Sequence, residues 1–247
     1  QRDRRPGDAL NRRWGGAHLE DSLSMSTDYD LPEPEIHLIQ AMLVRRPDLH
    51  ACVDELIAAH KALVTCFSRG GTLFTCGNGG SWADALHIVG ELCKSFERRR
   101  PLDEDYAAAL RLLPFGEDLA DNLESGLRAI TLGLNGALKT AVENDCPLRD
   151  IAFAQELNVM MRPGDVLLAL STSGKAVNCR MAMSVARAKG GVTIAMTGPQ
   201  GGPMGEFADI VIRAPGDSTK VIQEAHATLW HTLCCLVEIR FFPEKRA

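Results

Sequence analysis

The sequence predicts a doubly wound α/β fold: a parallel sheet of about five strands with helices on both faces and an N-terminal helical extension. Two observations lead there. Five short apolar runs, Thr72–Cys76, Ala129–Leu132, Val166–Leu170, Val192–Met196 and Ile210–Ile212, have strand length and little polar alternation, as strands buried on both faces do. Helical stretches separate or follow them at Trp82–Phe96, Leu148–Met161, Ala176–Lys189 and Ser218–Arg240, which are the crossovers a parallel sheet needs. In such a sheet a ligand is expected at the carboxyl ends of the strands.

Taken in order, residues 1–34 carry five arginines, then Asp21, Asp28 and Asp30, and a Pro32-Glu33-Pro34 break. Little apolar periodicity runs through them, so a linker or surface arm is expected, with one domain over 35–247. From Ile36 the pattern turns helical, pauses at Pro47, and resumes through Leu49, Val53, Leu56, Ile57, Leu63, Val64 and Phe67 until Gly70-Gly71 stops it. An acidic insertion over about 100–127, with Leu110, Leu113, Leu119, Leu123 and Leu127 as its apolar positions, predicts two short helices around Pro114–Gly116.

Composition narrows the function classes. With 247 residues, 45% of them hydrophobic, the chain can bury one sizeable core. No apolar run approaches the roughly 18 to 20 residues of a membrane span. Its 27 basic and 32 acidic side chains leave a net charge of -5, which gives no global pull toward nucleic acid or anionic lipid. Eight cysteines without a CxxC pair point to reduced thiols and a cytoplasmic protein. The first thirty residues lack the apolar core of a secretory signal, and the missing initial Met points to a fragment or a processed chain.

Three places can carry chemistry. The turn Cys76-Gly77-Asn78-Gly79-Gly80-Ser81 follows a strand and opens a helix, where glycines allow close approach and free N–H groups attract an anion. It is neither a GxGxxG nor a Walker A loop, so a bare turn and a ligand site both remain open. Ser171-Thr172-Ser173-Gly174 has the same setting, and three hydroxyls exceed what capping a helix requires. That favours a phosphate site. The third place is a set of proton-carrying or metal-binding side chains. His87 and Glu91 are four apart on one helix face, and Gln223 and His231 are eight apart on the last helix, offset by about 80°. Each pair alone reads as structural, and His226 is assigned no role. Converging, they would make a divalent-metal or acid/base site.

Together these segments resemble the sugar isomerase (SIS) domain, which has a flavodoxin-like fold, and within it the phosphoheptose isomerase family. The matching stretches are CGNGGSWADALHIVGEL at 76–92, AVENDC at 141–146, GDVLLALSTSGKAVN at 164–178, VTIAMTGPQGG at 192–202, ADIVIRAP at 208–215 and VIQEAHATLWH at 221–231. The resemblance implies that Ser81, Ser171, Thr172 and Ser173 hold a sugar phosphate while Asn78 and Gly79 shape the pocket. It implies that Asp145 lines the substrate site, and that His87, Glu91, Gln223 and His231 correspond to the family's zinc-binding and catalytic positions. It further implies a homotetramer with sites shared between subunits.

The implied reaction interconverts a ketose and an aldose phosphate, sedoheptulose 7-phosphate or a related octulose phosphate, through an enediolate. Glu91 is then the candidate base and His231 its acid/base partner, with Zn²⁺ as a Lewis acid at the oxyanion. The chain departs from the family pattern at Lys175-Ala176, where Asn-Ser is usual, at Lys220-Val221, where Asp-Arg is usual, and in its insertion and N-terminal extension. Two rival readings use the same fold. A non-catalytic sugar-phosphate sensor or adaptor would need the phosphate loop but not Glu91 and His231, and a phosphosugar aminotransferase would need a glutaminase unit or a second domain copy that the sequence lacks.

Overall fold

The computed structural model describes residues 29–243. Residues 1–28 of the expected arm lie outside the described residues, while Tyr29 and Leu31 pack against the core. Helix α1 (Glu33–Arg45) starts with Pro34 in its first turn, and a 3-10 turn over Pro47–Cys52 leads into α2 (Val53–Ser68). Proline fits the start of a helix because the N–H it lacks would be unpaired there. The predicted pause at Pro47 is thus a tighter turn between two helices.

Five strands follow: β1 (Leu73–Cys76), β2 (Ala129–Thr131), β3 (Val166–Ser171), β4 (Val192–Thr197) and β5 (Ile210–Arg213). All pair in parallel, in the order β2-β1-β3-β4-β5. Alternate side chains go to opposite layers, as a pleated strand dictates. Val166, Leu168 and Leu170 of β3 enter one core cluster, and Leu167 and Ala169 enter the other. Both faces are apolar, which is why these runs show no period-two pattern in sequence.

The first layer holds α1, α2, α3 (Gly80–Cys93) and the last helix, α10 (Thr219–Phe241); the second holds α7 (Ala152–Met160), α8 (Val177–Ala188) and the short α9 (Gly202–Gly205). The chain therefore leaves β1 toward one face and its neighbour β3 toward the other. Their carboxyl ends form the topological switch point where ligands of this sheet class bind.

The insertion forms the two predicted short helices, α4 (Glu104–Arg111) and α5 (Gly116–Asn122). Arg111 joins them through Glu117 and Asp121, and their connecting tip exposes Leu112, Leu113 and Phe115. One helix was not anticipated. The segment Gly136–Asp145 forms α6, capped by the Asn135 side-chain Oδ1 accepting from the Leu138 N–H. It buries no residue, so it lacks the apolar stripe that marks a helix in sequence. The next helix, α7, starts at Ala152 rather than Leu148, because the Glu143 carboxylate holds the turn before it by accepting from the Asp150 and Ala152 N–H groups. Among the described residues no helix is long and apolar enough to cross a membrane.

Candidate functional site

Two turns meet above the adjacent strands β1 and β3. In the first, Gly79 has φ +55°, a backbone state that side chains disfavour, and Gly80 opens α3. A Cβ on Gly80 would run into the side-chain amide of Gln223. Glycine there lets the start of α10 close over the start of α3. Ser81 is buried, its N–H donating to the Asn78 carbonyl at 3.1 Å.

In the second turn, Ser171 is buried at the end of β3, Thr172 is half-buried and Ser173 is exposed. Gly174 has φ +63° and lies against the backbone of Gly201. The two turns are fastened to each other. Asn78 Nδ2 donates to Asn178 Oδ1 at 2.9 Å, and Asn178 Nδ2 donates back to Asn78 Oδ1 at 2.8 Å. Asn178 was not singled out in sequence. The structure thus gathers Asn78, Gly79, Ser81, Ser171, Thr172 and Ser173 at the carboxyl edge of β1 and β3, where free helix N–H groups and hydroxyls suit an anion.

The titratable residues sit further along α3 and α10. Hydroxyls of Thr75 and Thr131 both donate to the Ala85 carbonyl, at 3.0 and 3.1 Å, and Trp82 Nε1 donates to the Leu132 carbonyl at 2.9 Å. These bonds fix α3 over β1 and β2. His87 Nε2 meets Glu91 Oε1 at 2.9 Å across one helical turn, as their spacing requires. From α10, the His231 ring stands 5.3 Å from that of His87 at 87° between planes. Trp230, buried behind both, lies 4.7 Å from His87 and 3.7 Å from His231, while Phe96 stacks on His231 at 5.7 Å. His87, Glu91 and His231 therefore share one compartment with aromatic walls.

Its electrostatics follow from burial. Desolvation, with a smaller push from His87, lowers the His231 pKa from its ordinary value, against the Ala227 carbonyl and the Glu91 carboxylate, which favour the cation. The imidazole is therefore neutral at pH 7 and able to accept a proton. Asp84, one turn before His87, is pushed up by burial, with the Trp230 indole N–H and His87 pulling it back. His226 is wholly buried, with Nε2 3.0 Å from the Thr197 carbonyl, which accounts for it as a core residue.

Two predicted residues stand apart. Gln223 lies against Gly80, and its position on α10 is eight residues before His231, roughly 12 Å along the axis. Asp145 ends α6, exposed, accepting from the Asn144 amide at 2.8 Å. Among the described residues no three His, Cys, Asp or Glu side chains form a ready metal cluster. The donor chemistry of His87, Glu91 and His231 nonetheless suits zinc, being two imidazoles and a carboxylate, of which two already touch.

Comparison with known proteins places these features in a family. SIS-domain models match residues 49–120 and 149–233. The phosphoheptose isomerase of Roseiflexus sp. (strain RS-1) is 33% identical over 201 residues, covering 81% of this chain and 89% of the relative. That of Bordetella avium (strain 197N) is 36% identical over 201 residues, covering 80% and 89%. Among solved structures, a phosphoheptose isomerase from Francisella tularensis aligns with TM-score 0.62 at 28% identity over 83% of this chain and 93% of its own, and one from Neisseria gonorrhoeae with TM-score 0.60 at 27% over the same shares. With its five-stranded parallel sheet, its paired turns above β1 and β3 and relatives matched over most of their length, this chain belongs to the phosphoheptose isomerase family of SIS-domain proteins.

Proposed function

We propose that the protein is an aldose–ketose isomerase of a long-chain sugar phosphate, interconverting sedoheptulose 7-phosphate and a heptose 7-phosphate, or the corresponding octulose pair, in the cytoplasm. The observation that carries the reading is the meeting of Glu91 and His231, distant in sequence, on either side of His87. A sugar-phosphate isomerase fits the chain's relatives, and all eight thiols are free, as a reducing compartment keeps them.

Isomerisation moves one proton from C1 to C2 of the ketose and another from O1 to O2, through an enediolate. Glu91 takes the C1 proton and returns it to C2, and neutral His231 carries the proton exchanged between the two oxygens. Ser81, Ser171, Thr172 and Ser173 hold the phosphate with hydroxyls and backbone N–H groups, while Asn78 and Gly79 set the width of the pocket. Zn²⁺ held at the family's positions His87, Glu91, Gln223 and His231 would supply Lewis-acid stabilisation of the oxyanion; a side chain bound to the metal is not free to carry a proton, so Glu91 and His231 act either as its ligands or as the proton carriers. Asp145 lines the sugar end.

Ser81 and Glu91 are ten residues apart on α3, roughly 15 Å along its axis. A heptulose phosphate spans only about 10 Å from phosphorus to C1, at about 1.5 Å per bond in a zigzag. Side-chain reach and contact distances at the two ends cover the difference, so one subunit can span the substrate, and the homotetramer with sites shared between subunits is proposed on the family resemblance alone.

Purified protein mixed with sedoheptulose 7-phosphate should yield an aldose phosphate. Glu91→Gln and His231→Ala should each lower kcat at least about 100-fold with unchanged circular dichroism. Wild-type turnover in both variants would remove these residues from the mechanism. Tight binding of seven- and eight-carbon ketose phosphates without turnover would make the chain a sensor instead.

A further inference from the structure

Helix α3 ends two residues after Glu91, and a helix leaves its last four carbonyls without intrahelical donors. Arg100 supplies two of them from within the core. Its Nη2 donates to the Glu91 carbonyl at 2.9 Å and its Nη1 to the Leu92 carbonyl at 2.8 Å. The same guanidinium donates through Nε to Glu238 Oε1 at 2.8 Å, and Phe242 packs across it, 4.8 Å from ring centre to Cζ. Arg100 is 0% exposed and the Glu238 side chain 1%.

Glu238 lies on α10 seven residues after His231, two turns along and within about 20° of the same face. Its two oxygens also accept the N–H of Phe96 at 3.0 Å and of Glu97 at 2.9 Å. Phe96 is the ring that stacks on His231. One buried ion pair thus touches the turn that carries Glu91, the helix that carries His231, and the backbone of the aromatic wall between them.

Stability alone is a weak reason for such a pair, since a well-packed apolar replacement of a buried ion pair is often neutral or stabilising. What the planar fork supplies is direction: its N–H groups aim at fixed acceptors. We propose that Arg100, through Glu238, is a positioning residue that sets the separation and orientation of Glu91 and His231 for proton transfer. This rests on the isomerase reading above. Because a 1 Å misplacement of reacting groups can cost about 100-fold in rate, the pair acts on kcat while the phosphate turns, which hold the substrate, are untouched.

The test compares wild type, Arg100→Lys, Glu238→Gln and the charge-free double variant Arg100→Met/Glu238→Met, each assayed well below its Tm on a ketose phosphate that the wild type turns over. The double variant leaves the Phe96 and Glu97 N–H groups and the Glu91 carbonyl without these partners, so its Tm should fall; below that Tm it should lose about 10- to 100-fold in kcat, with KM within about twofold. The two single variants should show the same split to a smaller degree, and they decide the matter if the double variant does not fold. Wild-type kcat in any folded variant, or a loss confined to KM, overturns the proposal. A crystal structure of a folded variant reads the effect without substrate: a shift of the Glu91 carboxylate against the His231 ring by about 1 Å or more supports the strut, and an unmoved pair overturns it. If the wild type turns over no ketose phosphate, the isomerase reading fails, and this structural comparison still decides the strut.

Discussion

The side-chain amides of Asn78 and Asn178 face each other across the two turns and exchange both possible hydrogen bonds, at 2.9 and 2.8 Å. Asn78 lies in the turn before α3 and Asn178 in the first turn of α8, so the pair ties the glycine turn after β1 to the helix that follows the serine turn after β3. Asn178→Ala removes both bonds, and with them the one Asn178 Oδ1 accepts from the Cys179 N–H at 2.9 Å, at a half-buried position. The expected result is a KM for sugar phosphate raised about tenfold, since each bond contributes about 0.5 to 1.5 kcal/mol and about 1.4 kcal/mol is a factor of ten. Steady-state kinetics check this, with Tm expected to stay within a few degrees.

Gly80→Ala places a methyl group against the Gln223 amide. Gln223 is the flexible end of a side chain and can swing away, so the fold should survive with a loss of less than about 1 kcal/mol. Activity should fall at least about tenfold, because the Gln223 amide is displaced from its place over the glycine turn. A variant with wild-type activity would place Gln223 outside the site.

Ser173 and Lys175 stand exposed on the serine turn, and the Ser173 hydroxyl accepts the Lys175 N–H at 3.3 Å. Ser173→Ala should raise KM several-fold with little change in kcat. Lys175→Asn should raise KM at low ionic strength only, since screening at about 1 M salt shortens the Debye length to roughly 3 Å. KM measured against salt concentration separates the two effects.

Burial lowers the pKa of both His60 and His226 below the ordinary histidine value; at His60 the adjacent Glu35 carboxylate opposes this without outweighing it. Their unfolded forms therefore bind protons at a higher pH than their folded forms. The contribution to stability is complete above about pH 6.5 and is lost as pH falls from there through the folded pKa values, by at most about 1.4 kcal/mol per pH unit for each group. Urea denaturation between pH 5 and 7.5 should show stability rising with pH, and His226→Gln should reduce that slope. An unchanged slope would show that His226 does not titrate with folding.

Metal content gives a separate reading of the titratable compartment. Protein grown with zinc should carry the metal in a fixed ratio to the chain, and His87→Ala should lose it while keeping its helical content. Retained zinc in that variant would exclude His87 from the donor set.

The strands could be read from sequence because each is apolar on both faces, so Val166–Leu170 appears as an unbroken run. The helical hairpin of the insertion could be read because Pro114–Gly116 interrupts its leucines. Helix α6 escaped because none of its residues is buried. Within the site, His87 and Glu91 announce themselves by four-residue spacing on one helix. Asn178 does not, since its partner is 100 residues away and only the parallel pairing of β1 with β3 brings them together. Arg100 hides for another reason: the run Glu97-Arg98-Arg99-Arg100 looks like solvated charge, whereas its last member is completely enclosed.

The two turns spring from neighbouring strands yet lead into opposite layers, so neither half of the molecule carries a complete anion cradle. Ligand capture has to wait until both sides of the sheet have condensed. Each bound sugar phosphate then pulls the entire domain toward the native state by mass action, and a rise in melting temperature with ligand concentration reports the integrity of the whole molecule rather than of one loop.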